Sequence, residues 1–258
     1  MAKAKSKELV TADGQVLPAA LSDRMSKSRG KAQTFRQDDL IIPRLQILQD
    51  LSDQVKPRHA NYVDGAKAGD IFNNVTGTLT DSLIFIPSYY NVRYIAWKPR
   101  PDGGLIDMDF PEADLANLEK DGISKWVGNI RRDDKDVFVE VIETPEWAGI
   151  AVDSTGRALP VVISFASTKA KSARKINTTI ELTELEDENG PYVPASFFHQ
   201  FELRTGLETS GDNEWFGWTV ASLGFCTDDK LIDRAEKLHD SMKAGTVVAA
   251  DEVDGANA

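Results

Sequence analysis

The sequence predicts a β-rich α+β fold: a small antiparallel barrel or sandwich with helices at its edge and one helix at its close. Three observations predict it. Runs rich in β-branched and aromatic residues, bounded by Gly, Asn, Asp and Pro, recur from residue 69 to residue 221. One of them, LPVVISF (159–165), is apolar nearly throughout, the pattern of a strand buried on both faces. The final amphipathic stretch has the helical period instead, with Leu231, Ala235, Leu238 and Met242 stepping by four, three and four.

Each element follows from local residues. LIIPRLQILQDLS (40–52) is strongly apolar, but Pro43 breaks a helix and neither period fits, so its type stays open. GDIFNNVTGTLT (69–80) and SLIFIPSYYNVRYIAW (82–97) read as two neighbouring strands. Pro87, in the middle of the second, cannot donate to a ladder and demands an edge position or a bulge. PRPDGG (99–104) is a turn, after which residues 112–120 can form a short helix. Residues 137–142 and 147–152 are short strands, and Ser167 or Thr168 is a candidate cap for a basic helix through Lys175. Its end is left open, because Thr178, Thr179 and Ile180 prefer strands. DENGP (187–191) is a turn, and residues 197–204 and 215–221 make a hairpin across the polar loop TGLETSGDNE. Thr227 or Asp228 caps the last helix and Gly245 ends it. A helix between the third-quarter strands and a final hairpin is the arrangement of the five-stranded oligonucleotide-binding barrel, and an oligonucleotide-binding-type antiparallel β-barrel is the architecture expected.

With 258 residues, 41% of them hydrophobic and 28% charged, the chain has ordinary globular composition, which excludes collagen-like, coiled-coil and wholly disordered classes. No apolar run approaches the roughly 20 residues that span a bilayer, and MAKAKSKELV lacks the apolar core of a secretory signal. A soluble protein of the cytoplasm, without membrane contact, is expected. Cys226 is the single cysteine, and His59, His199 and His239 are scattered, so neither a disulfide nor a histidine metal site is expected.

The formal charge of −11 is unevenly placed. Residues 1–36 carry eight Lys and Arg against three acids, so residues 1–38 are expected to be a flexible basic arm. Residues 101–136 hold ten acids against five bases, an acidic insertion in a single domain over 39–245. Residues 246–258, with Asp251, Glu252 and Asp254, are expected to be a flexible acidic tail.

Catalysis lacks a motif: GxxxxGK[ST], GxGxxG, HExxH and GxSxG are all missing, so no enzyme is expected. The pairs Asp107/Asp109 and Asp133/Asp134 show no third ligand, and neither a metal nor another cofactor is expected. The informative feature is aromatic residues interleaved with positive charge. Tyr89, Tyr90, Arg93, Tyr94, Trp97, Lys98 and Arg100 lie within twelve positions. Bases of a single strand stack on flat side chains while Lys and Arg follow the phosphates, which needs this mixture. The plainer reading is that the rings fill the core, although the cost of burying unpaired charge keeps an edge of this strand exposed. Alternation places Tyr90, Tyr94 and Lys98 on one nominal face and Tyr89, Arg93 and Trp97 on the other, with either face open as the groove. Trp215, Phe216 and Trp218 cannot all face inward in one strand. STKAKSARK (167–175), with Lys169, Lys171, Arg174 and Lys175, is a second basic element, read equally as a solvated helix face or a phosphate-binding patch.

The succession IPRLQILQ, AGDIFNNVTG, the strand ending YIAWKP, VVISFASTKAKSARK, and WFGWTV before a closing helix resembles a group of bacteriophage proteins found among replication and recombination genes and taken to bind single-stranded DNA. The resemblance spans about residues 40–245. It implies an oligonucleotide-binding barrel, no catalysis, single-stranded DNA as partner in phage replication or recombination, and an acidic tail that recruits partner proteins. It also leaves room for phage replication or recombination proteins and further copies of the chain as partners. The tail ADEVDGANA departs from that group in being weakly acidic and lacking a terminal aromatic residue. The expected groove carries Tyr89, Tyr90, Arg93, Tyr94, Trp97, Lys98, Arg100, Lys169, Lys171, Arg174, Lys175, Trp215 and Trp218. A virion or assembly protein of a phage is the rival expectation, since a β-rich body with an acidic surface serves it equally.

Overall fold

Two long antiparallel strands, Ser82–Trp97 and Lys135–Val152, organise the molecule, and everything else is placed by how it pairs with or covers them. The computed structural model describes residues 18–28, 41–99 and 103–250. In chain order these give α1 (Ala19–Lys27), β1 (Ile41–Ile42), β2 (Arg44–Ile47), β3 (Ile71–Asn73), β4 (Leu79–Thr80), β5 (Ser82–Trp97) and β6 (Leu105–Asp107). β7 (Glu119–Lys120), β8 (Lys125–Arg132), β9 (Lys135–Val152), β10 (Ala158–Ser164) and α2 (Ala170–Glu181) follow. β11 (Leu185–Asp187), β12 (Gly190–Tyr192), β13 (His199–Ser210), β14 (Asn213–Phe225), α3 (Asp229–Lys243) and β15 (Val248–Ala249) complete the order.

The fold is β-rich, with a large mixed sheet and a C-terminal helix. Its strands run β14-β13-β5-β9-β10-β2-β3-β4, with β6 added to β5 and β8 to β9. The pairs are antiparallel except β10 with β2, which is parallel. Among the described residues, strand pairing leaves β14 and β4 as ends, so the sheet is open where a closed antiparallel ring is the sequence expectation. A side chain spans the gap. Gln49, just past β2, donates from Nε2 to the Phe216 carbonyl at 2.9 Å and accepts from the Phe216 N–H at 2.8 Å, the two bonds a neighbouring strand would make. Thr205 Oγ1 donates to the Gly69 carbonyl at 2.6 Å beside it. Gly69 sits at φ +92, and a Cβ there would press on the Phe216 ring at 2.8 Å, so both backbone and space require glycine.

The sheet curls around one core. Leu83 and Phe85 of β5, Trp147 and Ala151 of β9, Val161 and Ile163 of β10, Phe201 and Leu203 of β13, and Trp218 and Val220 of β14 face inward. Ala173 and Ile176 of α2 join them. The opposite faces of β5, β9 and β10, with Ile86, Ala148, Ile150 and Val162, are covered by Ala235 and Leu238 of α3. The α3 start is fixed as the residues dictate: Asp228 Oδ1 accepts from the N–H groups of Lys230 and Leu231 at 2.9 and 3.3 Å. Gly245, at φ +66, follows its end. Among the described residues, no helix is long and apolar enough to cross a membrane.

Several elements differ from the sequence expectation for tertiary reasons. Residues 137–142 and 147–152 belong to one strand, because β5 runs beside both and pairs continuously from Ile84 to Trp97 apart from a single shift. The polar TGLETSGDNE becomes strand, since Gly206 to Ser210 and Asn213 to Gly217 extend the β13–β14 ladder to a two-residue turn. The helix after Ser167 starts with a 3-10 turn, Ser167–Lys169, and neither Ser167 nor Thr168 caps it. It continues to Glu181 despite its threonines because Ile176 and Ile180 pack on the core, while Thr179 Oγ1 donates to the Lys175 carbonyl at 2.8 Å within the helix. The short helix expected at 112–120 is a 3-10 helix, Glu112–Asn117, followed by β7. Helix α1 lies within the stretch expected to be an unpatterned arm, and residues 1–17 and 29–40 lie outside the described residues. β15 pairs in parallel with β1, carrying the described chain past Gly245; residues 251–258 of the expected tail lie outside it.

Candidate nucleic-acid interface

Pro87 shapes the site as its chemistry requires. It pairs with Gly149, the next pair is Tyr89 with Ala148, and Ser88 is the extra residue of a bulge. Gly149 is needed opposite, since a Cβ would meet the Ile86 carbonyl and the Phe85 ring. The bulge shifts the inward parity from odd to even positions. Leu83 and Phe85 face the core before it, and Tyr90 is on that face after it, its ring 5.1 Å from Trp147.

This shift separates the aromatic run. Tyr90 is 36% exposed and packs on the 5%-exposed Trp147, whose Nε1 donates to Asn177 Oδ1 at 2.9 Å. Arg174, exposed, lies one helical turn before Asn177. Contacts thus run from an accessible flat ring through Trp147 to Asn177, both missed by sequence reasoning, and an exposed guanidinium stands one turn earlier on the same helix. Trp147 reads there as a core strand residue, which it also is, and nothing local distinguishes Asn177. On the other flank of α2, Lys171 Nζ is 2.7 Å from Glu208 Oε2 and Lys175 Nζ donates to the Val220 carbonyl at 2.6 Å. Both remain exposed, while Lys169, at the N-terminus of α2, is half-buried. Ser172 Oγ donates to the Trp218 carbonyl at 2.7 Å and pins the helix to β14.

The opposite face of β5 is spoken for. Tyr89 is half-buried, edge-on to His239 of α3 at 5.9 Å. Arg93 reaches Asp109 at 2.8 Å and Glu146 at 3.6 Å, and buried Arg44 contacts the same Glu146 at 2.6 Å. Arg44 also donates to Ser164 Oγ at 2.9 Å and to the Ala250 carbonyl at 2.6 Å. The guanidinium groups of Arg44 and Arg93 share the Glu146 carboxylate and knit β2, β5, β9 and Ala250 together, an arrangement that fixes geometry at little net gain in energy.

Farther along β5 the surroundings turn acidic. Tyr94 shares the face of Tyr90, edge-on to Trp126 at 5.6 Å with its hydroxyl 3.3 Å from Glu112. Burial, then the charges of Glu112 and Glu143, hold its phenol above the usual range. Trp97 is half-buried opposite Glu140, and Lys98 is exposed. Arg100 lies outside the described residues. Trp218, 3% exposed, is a core residue packed near Phe165 at 6.3 Å, so its ring is not presented to solvent. Trp215 faces the other side of β14, half-buried, with its indole N–H lacking a protein partner. The residues expected to form one groove therefore divide into an exposed set (Tyr90, Arg174, Lys175 and the ion-paired Lys171), a set beneath α3 or in ion pairs on the opposite face of β5 (Tyr89, Arg93), an acidic-side set (Tyr94, Trp97, Lys98), half-buried Lys169 and Trp215, and the core (Trp218), with Arg100 outside the described residues.

A family model described as Pam3 phage gp34-like protein matches residues 11–248. No curated protein and no solved structure matches the chain.

Proposed function

The chain belongs to the Pam3 phage gp34-like protein family, and on that premise we propose that it is a non-enzymatic single-stranded DNA-binding protein acting in phage replication or recombination. The observation that carries the reading is the Tyr90–Trp147–Asn177 contact series, which ties a ring able to stack a base to α2, the helix that carries exposed Arg174, a cation able to meet a phosphate. Topology supports it. β5 pairs with β9 and β13, β9 with β10, and β13 with β14, while α2 connects β10 to β13 through the β11–β12 hairpin. These pairings are compatible with an opened oligonucleotide-binding barrel in which β2 is inserted beside β10 and Gln49 bonds across to β14. The usual ligand face of that barrel corresponds to outer β9 and β10, which α3 covers here. The strand is accordingly assigned to the α2 edge, running from Arg174 past Tyr90 towards Tyr94 on the same face.

An acidic protein binding this way depends on a local patch, so its affinity falls steeply with salt. Anisotropy of a labelled single strand of about 30 nucleotides, at two salt concentrations and against the matching duplex, tests it. Tyr90→Ala weakens binding by roughly 1–3 kcal/mol at every salt concentration. Arg174→Ala lowers the salt slope by about 0.7. No binding of single strands at low salt, with the protein abundant in purified particles, overturns the reading in favour of a virion or assembly role.

A further inference from the structure

Two apolar surfaces of this chain are uncovered. One is a hollow of about 310 Å³ beside the β11–β12 hairpin, lined by Leu185, Tyr192, Val193, Pro194, Phe198 and Phe225. Tyr192, Val193, Phe198 and Phe225 are 45, 42, 39 and 42% exposed, a contiguous group where surface apolar residues are ordinarily scattered. The other is α1, in which every described side chain is exposed. Leu21 and Met25, 43 and 48% exposed, stand one turn apart on one face of that helix.

Their charges match. The hairpin that borders the hollow through Leu185 and Tyr192, with the chain leading into it, carries Glu181, Glu184, Glu186, Asp187 and Glu188, all exposed, with no Lys or Arg within 181–188. Helix α1 carries Arg24 and Lys27 against Asp23. No residue of the chain's own α1 lines the hollow, and the described side chains of α1 are exposed. We propose that α1 of a second copy occupies the hollow, with Leu21 and Met25 inserted among Tyr192, Phe198 and Phe225 and with Arg24 and Lys27 against the acidic hairpin. A short amphipathic helix in an apolar groove is an established mode of recognition. The contact joins two different surfaces, so repetition produces a chain or a ring of copies rather than a closed two-fold dimer.

Sedimentation velocity of the full chain without DNA tests this, so failure of the DNA reading leaves the result intact. The expected result is a mass that rises with protein concentration and falls with added salt. Leu21→Glu combined with Met25→Glu keeps the chain monomeric, and because these side chains are exposed the body remains folded. Arg24→Glu with Lys27→Glu weakens association about tenfold, and Glu186→Lys with Glu188→Lys in the same chain restores it. A copy carrying Met25→Cys, mixed with one carrying Val193→Cys and treated with a copper–phenanthroline oxidant under air, which takes the two electrons, forms a disulfide-linked dimer; Cys226 is buried and does not compete. A wild-type chain that stays monomeric, association untouched by the α1 substitutions, or cross-linking within one chain bearing both cysteines overturns the proposal.

Discussion

The main body of the curled sheet and the lobe beyond it are built on the same two strands yet held by different physics. In the body, β5 and β9 are covered on one face by the curled sheet and α2 and on the other by α3, so Phe85, Ile86, Ile150 and Phe201 are all essentially inaccessible. In the lobe, residues 91–97 of β5 and 135–144 of β9 pair with β6 and β8, and a small cluster of Ala96, Phe110, Leu115, Val139 and Val141 is capped by the 3-10 helix. The lobe relies on exposed ion pairs, Lys125 with Asp121 and Glu140 and Arg131 with Asp136, each worth at most about 1 kcal/mol. Two-sided burial makes the body the cooperative unit, and one-sided burial makes the lobe the part that opens first. The Tyr90 edge lies where the one becomes the other, rigid beneath through Trp147 and accessible above.

This contrast can be broken from either side. Phe201→Ala, deep in the body, is expected to cost about 3–5 kcal/mol and to lower the denaturant midpoint of the whole molecule; a loss confined to the β13–β14 hairpin would show that the body is not one unit. Leu115→Ala in the lobe is expected to cost about 2 kcal/mol, at the low end for such truncations. Hydrogen exchange should quicken in β8 and in residues 135–144 of β9 while β10 and β13 keep their protection. Gln49→Ala leaves the Phe216 N–H and carbonyl without their bonds and is expected to cost about 1–2 kcal/mol, read as faster exchange along β14.

A pH series sharpens the same comparison. Burial holds the imidazole of His199, in the body, below its ordinary value of 6.5. The folded state therefore keeps it neutral while the unfolded chain takes up a proton, so stability present above pH 6.5 is lost as pH falls towards the folded value. His199→Phe should flatten that part of the profile; an unchanged slope would assign it to other groups. Smallest of all, Lys125→Ala in the lobe is expected to change stability by no more than about 0.5–1 kcal/mol.

Legibility in the sequence followed the same division. The α3 helix, a cap at Thr227 or Asp228, the Gly245 stop, the buried β10 strand and the edge or bulge demanded by Pro87 are all readable, because each depends on residues adjacent in the chain; the structure selects Asp228 and the bulge. The lobe was read as an acidic insertion. Its β8–β9 hairpin turns at Asp133 and Asp134, with φ of 49 and 62, left-handed positions more often signalled by Asn-Gly. Tyr90 was readable as a stacking residue by type, whereas its partners Trp147 and Asn177 lie on other elements and carry no local mark.

By itself the sequence determined the β-rich class, the closing helix, the interruption at Pro87 and the alternation that sets Tyr90 apart from Tyr89, since these follow from backbone sterics, caps and periodicity within a few residues. Tertiary structure alone decided which of those faces stays open. The outer face of β5 went under α3 and Trp218 into the core, while the Tyr90 edge stayed accessible beside α2. The physical reason is that exposure depends on what the rest of the chain brings against a strand, and that is settled by contacts between residues far apart in sequence.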